Sequence, residues 1–376
     1  MKPLVIVDFS HTSSRMLHTA IFQTKPKKKD GKFITSEWLP YYKHLIFNSL
    51  QFVKNKFNGE VVLAMDSRNN WRKDVYNEYK AHRAKGRDES EIDFGEYYEA
   101  VEDMGRVLDE LFPFKVLKIN KAEADDIAGT LAYKFGNDRP IILITSDHDW
   151  EQVMAETSHV QMWDPIKKEY QVLSDYERGI IETPHGPMSR FTIHHALLGD
   201  KGDNVMSLTG CTEFSESFIT YLKENEIYTT SVKEFLTMSI SNELMEKFDV
   251  MKITKSGKNK GKPTDEKDIF KTVPFGIKKA EAASESTDTL NELLDKHEMY
   301  RERFYMNAQL VDFMMIPEDM KNEIVQQYND TEIHYDPTGI LNYFMSENLG
   351  QMVTAVNKFY DGDYSMQTKT SLDDFF

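Results

Sequence analysis

Asn120 to Trp150 reads NKAEADDIAGTLAYKFGNDRPIILITSDHDW. Its first part sets Glu123, Asp125 and Asp126 at the start of a helical pattern, and the apolar run from Pro140 to Thr145 then delivers Asp147 and Asp149. A right-handed β–helix–β unit returns the chain to the same edge of a sheet, so both acid clusters are expected at the carboxyl ends of strands. Carboxylates gathered in one place repel one another unless cations neutralise them. Hard oxygen donors in that number suit Mg²⁺ or Mn²⁺ rather than zinc.

The same grammar recurs outside this stretch. Pro3 to Asp8 (PLVIVD) and Glu60 to Asp66 (EVVLAMD) are apolar runs that close on an aspartate. A turn or a helix cap would explain any one of these aspartates. Three of them, Asp8, Asp66 and Asp147, favour the metal reading, because a core strand gains nothing from a terminal acid. Gly199 to Val205 (GDKGDNV) adds Asp200 and Asp203 in a turn, where they either face an ion or cap the turn themselves. So many carboxylates exceed what one octahedral Mg²⁺ uses. Two ions about 4 Å apart, activating water and holding the leaving oxygen of a phosphodiester, are the economical reading.

Composition sets wider bounds. A chain of 376 residues, 40% hydrophobic and 29% charged, is expected to be an ordinary soluble protein of two domains, with no apolar run long enough for a membrane span. The opening MKPLVIVDFSH reads as a strand rather than a signal peptide, and the single cysteine, Cys211, suits a reducing compartment. The net charge of −16 argues against nucleic acid until its distribution is considered. Between Trp71 and Arg87, six bases (Arg72, Lys73, Lys80, Arg83, Lys85, Arg87) face two acids and alternate with Trp71, Tyr76 and Tyr79. Aromatics stack on bases and cations neutralise phosphates, so this is a candidate single-strand contact; a solvated amphipathic helix is the alternative. A second basic run holds Lys252, Lys255, Lys258, Lys260 and Lys262, within a low-complexity linker from Thr254 to Thr264. Lys25 to Lys32 is read as a solvated basic turn.

Helices are expected over Trp38–Phe57, Ser90–Phe112, Arg190–Leu198, Leu290–Phe313, Pro317–Tyr328 and Ile340–Tyr360. Short edge strands are expected at Val160–Trp163 and Tyr170–Leu173, and Glu182–Pro187 is read as a boundary loop. Val273–Ala283 is a glycine turn into a helix whose open amide end, beside Lys278 and Lys279, suits a phosphate. The expected domains are 1–184, an α/β core; 185–360, a helical domain; and 361–376, a disordered tail. That tail ends SLDDFF, so Leu372, Phe375 and Phe376 are candidates for docking in a partner's pocket; folding back on the chain is the alternative. There is no glycine-rich phosphate loop and no zinc spacing among His11, His148, His194 and His195.

VIVDFS, VLAMDS, YKAHRAKGR, AEADDIAGTLA, ITSDHDW and LLGDKGDNV stand in the order of the motifs of the 5′-nuclease (flap endonuclease) superfamily, and the chain resembles its bacteriophage branch. The resemblance implies a PIN-like α/β core with a mainly parallel central sheet, a helical arch or bridge, and a mostly helical carboxy-terminal domain with a helix-turn-helix-type DNA grip. It implies a Mg²⁺-dependent 5′→3′ exonuclease and flap endonuclease with ribonuclease H activity, removing RNA primers and 5′ flaps during lagging-strand replication. By motif position, Asp8, Asp66, Asp125 and Asp147 resemble the first ion's ligands and Asp149, Asp200 and Asp203 the second's, with Glu123 and Asp126 close by. Lys80 and Arg83 resemble the arch residues that contact the scissile phosphate. Implied partners are DNA with a 5′ flap or nick, RNA–DNA hybrid, a sliding clamp bound through SLDDFF and a single-stranded DNA-binding protein. The implied protein is a monomer in the cytoplasm of a bacterial host. The residues after GDKGDN depart from the family's hairpin, and Cys211 to Lys271 reads as an insertion. A PIN-type endoribonuclease, which is smaller and lacks the Trp71–Arg87 segment, and a non-catalytic flap- or clamp-binding scaffold, whose acids would be degraded, are the competing readings. An aspartyl-phosphate phosphatase would need an aspartate where Ser10 stands.

Overall fold

The computed structural model describes residues 2–208, 214–228, 232–236, 238–253, 261–269, 275–296 and 298–360. SLDDFF lies outside them, as do Cys211 and most of the basic linker. By internal contacts the described chain forms two compact units: residues 2–77, 81–178 and 313–360, and residues 78–80 with 179–312.

The first unit begins with β1 (Leu4–Asp8), α1 (Phe9–Thr24), a small hairpin of β2 (Lys28–Lys29) and β3 (Lys32–Phe33), α2 (Thr35–Phe57) and β4 (Glu60–Ala64). Short α3 (Arg72–Val75) and α4 (His82–Asp88) follow, then α5 (Phe94–Leu111), β5 (Phe114–Leu117), α6 (Ala124–Phe135), β6 (Ile141–Ile144), α7 (Glu151–Glu156), β7 (Val160–Asp164) and β8 (Glu169–Tyr170). The central sheet runs β5-β4-β1-β6-β7-β8, parallel except for the edge strand β8. β1, β4 and β6 are continuous apolar runs because both faces of a parallel sheet are covered. The strand order reverses about β1, which opens a crevice at the carboxyl ends. Helix α6 carries the chain from the outer strand β5 past β4 and β1 to β6, and because these strands are parallel both acid clusters follow carboxyl ends at the same edge of the sheet, as expected. Helix α5 starts later than Ser90 because the Asp93 side chain caps it by accepting the Glu96 N–H. In α2 the buried face includes Phe47 and Leu50, while Phe52 is exposed.

The second unit opens with a hairpin, β9 (Ile180–Thr183) and β10 (Gly186–Ser189), where a loop was expected. Helix α8 (Arg190–Leu198) runs between a Ser189 cap and Gly199. Helices α9 (Glu216–Glu224), α10 (Val232–Leu236) and α11 (Ser241–Lys247) follow, and β11 (Met251–Ile253) pairs with β12 (Pro263–Lys267). The expected linker thus ends in a strand at Pro263 and Thr264. Phe214, Phe218, Phe235, Phe248 and Ile269 form a separate aromatic core in this region. Helices α12 (Ile277–Ala283), α13 (Thr287–Leu294) and α14 (Glu298–Val311) complete the unit. The single helix expected from Leu290 is two, broken after Leu294.

Residues 313–360 then rejoin the first unit through α15 (Glu318–Asp330), α16 (Pro337–Ser346) and a 3₁₀ stretch, Gly350–Phe359, where one helix was expected from Ile340. By internal contacts these residues group with the first unit, where the sequence placed them in a helical domain over 185–360. The reason is apolar: Ile340, Phe344, Met352 and Phe359 belong to the same core as Val5, Phe47 and Phe112. The Phe112 ring meets Phe359 edge-on at 5.0 Å and Phe47 stacks on it at 5.1 Å, pairs that contribute about 0.5–1.5 kcal/mol each beyond burial. Among the described residues no helix is long and apolar enough to cross a membrane.

Candidate active site

Asp8 closes β1 and caps α1: one carboxylate oxygen accepts the His11 N–H at 2.9 Å and the other accepts the Thr145 hydroxyl at 2.9 Å. Thr145, at the end of β6, also accepts the Asp147 N–H at 3.0 Å, so one hydroxyl sets two of the acids. Asp66, just past β4, accepts the Ala124 N–H at the start of α6 (2.8 Å), and its own N–H donates to Ser10 Oγ. The amino end of α6 is electropositive and holds an anion there at little cost. Asp147 accepts the Asp149 N–H at 3.0 Å. The indole of Trp150 donates to Asp125 at 2.6 Å, joining the two clusters of the Asn120–Trp150 stretch.

These acids feel one another. Asp8 is 4% exposed, and its carboxyl is pushed up to about 8, first by burial and then by the charge of Asp66, with Asp147 adding to it; the bonds from His11 and Thr145 pull the other way. A site that makes a carboxylate this reluctant to ionise is one that a cation would relieve. The donors in the first unit are Asp8, Asp66, Asp125, Asp147 and Asp149, all oxygen, which fits Mg²⁺ or Mn²⁺. His11 is half-buried, and burial lowers its proton affinity. His148 pairs with Glu151, and His194 and His195 lie in the second unit, where His194 meets Ser284 and His195 packs on Phe191.

Two expected ligands have other work. Asp126 is fully buried, and its carboxylate is held by Arg72 (2.9 and 3.1 Å), the Trp71 indole (3.2 Å) and the Glu123 N–H (2.8 Å). Glu123 forms the capping box of α6 with Asp126 and pairs with Arg72 at 3.2 Å. Asp126 thus supports the acid helix, and Glu123 shares the same cluster. Arg72, expected as a nucleic-acid contact, has its side chain 2% exposed and faces these carboxylates as a buried strut. Lys73 and Arg83 are exposed, Tyr76 and Arg87 half-buried; the side chain of Lys85 is outside the described residues.

In the second unit, Gly199 (φ 68°) lets the GDKGDN turn close: a β-carbon there would sit 2.4 Å from the Val205 carbonyl oxygen. Asp200 and Val205 exchange backbone hydrogen bonds, and Asp200 accepts the Gly202 N–H at 2.6 Å. Tyr79 is buried and donates to Asp203 at 2.8 Å, so it too is withdrawn from base stacking; Lys80 pairs with Asp203 at 3.2 Å. Asn307, fully buried, donates to the carbonyls of Ala196 and Met206 and ties α14 to both sides of this turn. Helix α12 has seven residues, too short for a substantial dipole, and carries exposed Lys278 and Lys279. Sequence reasoning missed Thr145, Ser10 and Trp150, although all three stood inside the quoted motifs next to the acids.

Residues 3–182 match the family described as 5′–3′ exonuclease, N-terminal resolvase-like domain, and residues 271–359 match T4 RNase H, C terminal. The ribonuclease H of Enterobacteria phage T4 is 27% identical over 367 residues, covering 95% of each chain. The 5′–3′ exonuclease of Buchnera aphidicola subsp. Schizaphis graminum is 27% identical over 217 residues, 54% of this chain and 64% of that protein. Among solved structures, the T5 D15 protein co-crystallised with metal ions superposes with a TM-score of 0.48 at 16% identity, covering 88% of this chain and 99% of that one.

Proposed function

We propose that the chain, whose residues 3–182 match the 5′–3′ exonuclease N-terminal domain, is a divalent-metal-dependent 5′→3′ exonuclease and flap endonuclease with ribonuclease H activity. The observation that carries this reading is the convergence of Asp8, Asp66, Asp125 and Asp147 beyond the carboxyl ends of the sheet, with the Asp8 carboxyl raised by burial and by its neighbours. Two ions, Mg²⁺ with Mn²⁺ as substitute, would supply Lewis-acid activation of water and neutralise the developing charge on the phosphodiester.

The chain's own residues do the rest. Asp8, Asp66, Asp125 and Asp147 are the candidate ligands of the first ion. Asp149 of the first unit, with Asp200 and Asp203 of the second, are retained as candidate ligands of the second ion. Lys80 and Arg83 offset charge on the scissile phosphate, and Lys73, Tyr76, Lys85 and Arg87 contact the 5′ strand. Residues 185–312 grip duplex, with Lys278 and Lys279 on its backbone. The substrates are 5′ flaps, nicked DNA and RNA–DNA hybrid. The biological setting is primer and flap removal on the lagging strand, in the cytoplasm of a bacterial host. The chain acts as a monomer, with a sliding clamp held through Leu372, Phe375 and Phe376 and a single-stranded DNA-binding protein as partners.

The test is a cleavage assay on a 5′-labelled flap and an RNA–DNA hybrid, with Mg²⁺ and with EDTA. Asp147→Asn is expected to abolish cleavage of both while largely sparing DNA binding measured by anisotropy. Full activity of that variant under Mg²⁺ overturns the ligand assignment; cleavage in EDTA overturns the metal requirement.

A further inference from the structure

We propose that Trp150 is a positioning residue for metal binding, acting through Asp125. This inference rests on the reading that Asp125 ligates an ion. Trp150 is fully buried and closes the 3₁₀ turn His148–Trp150, directly after Asp147 and Asp149. Its indole N–H donates to Asp125 Oδ1 at 2.6 Å, across 25 residues of chain. An indole N–H can donate and cannot accept, so it favours the ionised carboxylate and fixes one of its oxygens. Hydrogen-bond donors behind metal-binding carboxylates set their orientation, and losing them commonly weakens binding tenfold or more.

The ring is itself held in place. Gln152, 1% exposed, donates through Nε2 to the Asp149 carbonyl at 2.9 Å and accepts the Phe313 N–H through Oε1 at 2.9 Å. The turn carrying Asp147, Asp149 and Trp150 is thereby pinned to the segment that rejoins the unit at Phe313. Trp150 then transfers that anchoring to α6, the helix carrying Asp125. The tryptophan thus couples two acid clusters that arrive on separate elements.

The unit contains its own control. Trp163 is also buried, packs edge-on against Phe57 at 5.9 Å and Tyr170 at 5.1 Å, and its indole nitrogen has no hydrogen-bond partner among the described residues. Replacing either tryptophan by phenylalanine removes similar buried surface, yet only Trp150→Phe removes a bond to a candidate ligand.

The experiment titrates the full chain with Mn²⁺ alone and reads free Mn²⁺ by electron paramagnetic resonance, with no substrate present. Trp150→Phe is expected to weaken Mn²⁺ binding about tenfold, and Trp163→Phe to leave it unchanged. Unchanged affinity in Trp150→Phe, or equal losses in both variants, overturns the inference. If the wild-type chain binds no Mn²⁺, the ligand reading itself fails, which is a different result. Should Trp150→Phe not fold, indole N–H resonances of ¹⁵N-tryptophan-labelled wild-type protein decide. The Trp150 signal is expected to shift on addition of Mg²⁺ and the Trp163 signal to stay, and a stationary Trp150 signal overturns the inference.

Discussion

Asp8→Asn is expected to make the metal-free protein more stable and the metal-loaded protein inactive. The folded carboxyl ionises only near pH 8, against 3.8 for an unburied aspartate. Between those values the folded state holds more protons than the unfolded one, so the wild-type protein loses stability as pH rises through the window. At pH 7 the penalty is on the order of 4 kcal/mol. Relaxation around Asp66 and Asp147 reduces what a substitution recovers, leaving about 2–4 kcal/mol. Asparagine keeps an acceptor for the His11 N–H, and its amide replaces the carboxylate opposite the Thr145 hydroxyl, which can turn to accept it. The assay is thermal unfolding by circular dichroism in EDTA from pH 4 to pH 9. The asparagine variant should unfold several degrees higher at pH 8, with the gap closing towards pH 4, near the ordinary aspartate value, where the two states bind almost the same number of protons. With Mg²⁺ the order should reverse, because the wild type keeps every candidate ligand of the first ion and gains the more stability from binding. An asparagine variant no more stable than wild type at pH 8 in EDTA, or a gap that does not vary with pH, would refute the reasoning.

Two further substitutions test the scaffold behind the acids. Arg72→Met leaves Asp126 buried without its cation, which should cost about 3–5 kcal/mol, read as a lower urea midpoint; Lys73→Ala, exposed next to it, should change nothing measurable. Gly129→Ala should gain about 1 kcal/mol of helix propensity in α6. Its new methyl would lie 2.7 Å from the Phe313 ring and 2.9 Å from Phe313 Cβ, an overpacking that costs about 1–3 kcal/mol. A net fall in melting temperature is expected, and a rise would show that Phe313 yields freely.

The sheet and its acids were legible because their signal is local. β1, β4 and β6 are short apolar runs bounded by polar residues, and an aspartate at or just past the end of each could be placed by strand direction alone. Helix α8 was readable to the residue, since Ser189 caps one end and Gly199 stops the other. What was not legible depends on distant partners. A charge pattern shows that Arg72 is basic, but not that it turns inward towards Glu123 and Asp126, which lie fifty residues on. The β9–β10 hairpin has strands of four residues, with Pro184 and His185 at its tip, too short to separate from a loop. Nor does helical periodicity after Pro317 say which core the helices cover. That choice was made by Phe112 and Phe114, whose partners Phe344 and Phe359 come more than two hundred residues later.

This late return bears on how the protein is made. A ribosome that has completed every strand of the sheet has yet to add the side chains that close its core, and Gln152 still awaits the Phe313 N–H that steadies the turn after Asp147. Nascent chains up to residue 312 therefore carry the acids without the frame that holds them. A protein able to cut nucleic acid would then acquire its finished site only once the segment from Phe313 to Phe359 has been made and packed. A chain stopped at Asp312 should be cleaved by dilute protease within the sheet unit, where the longer chain resists.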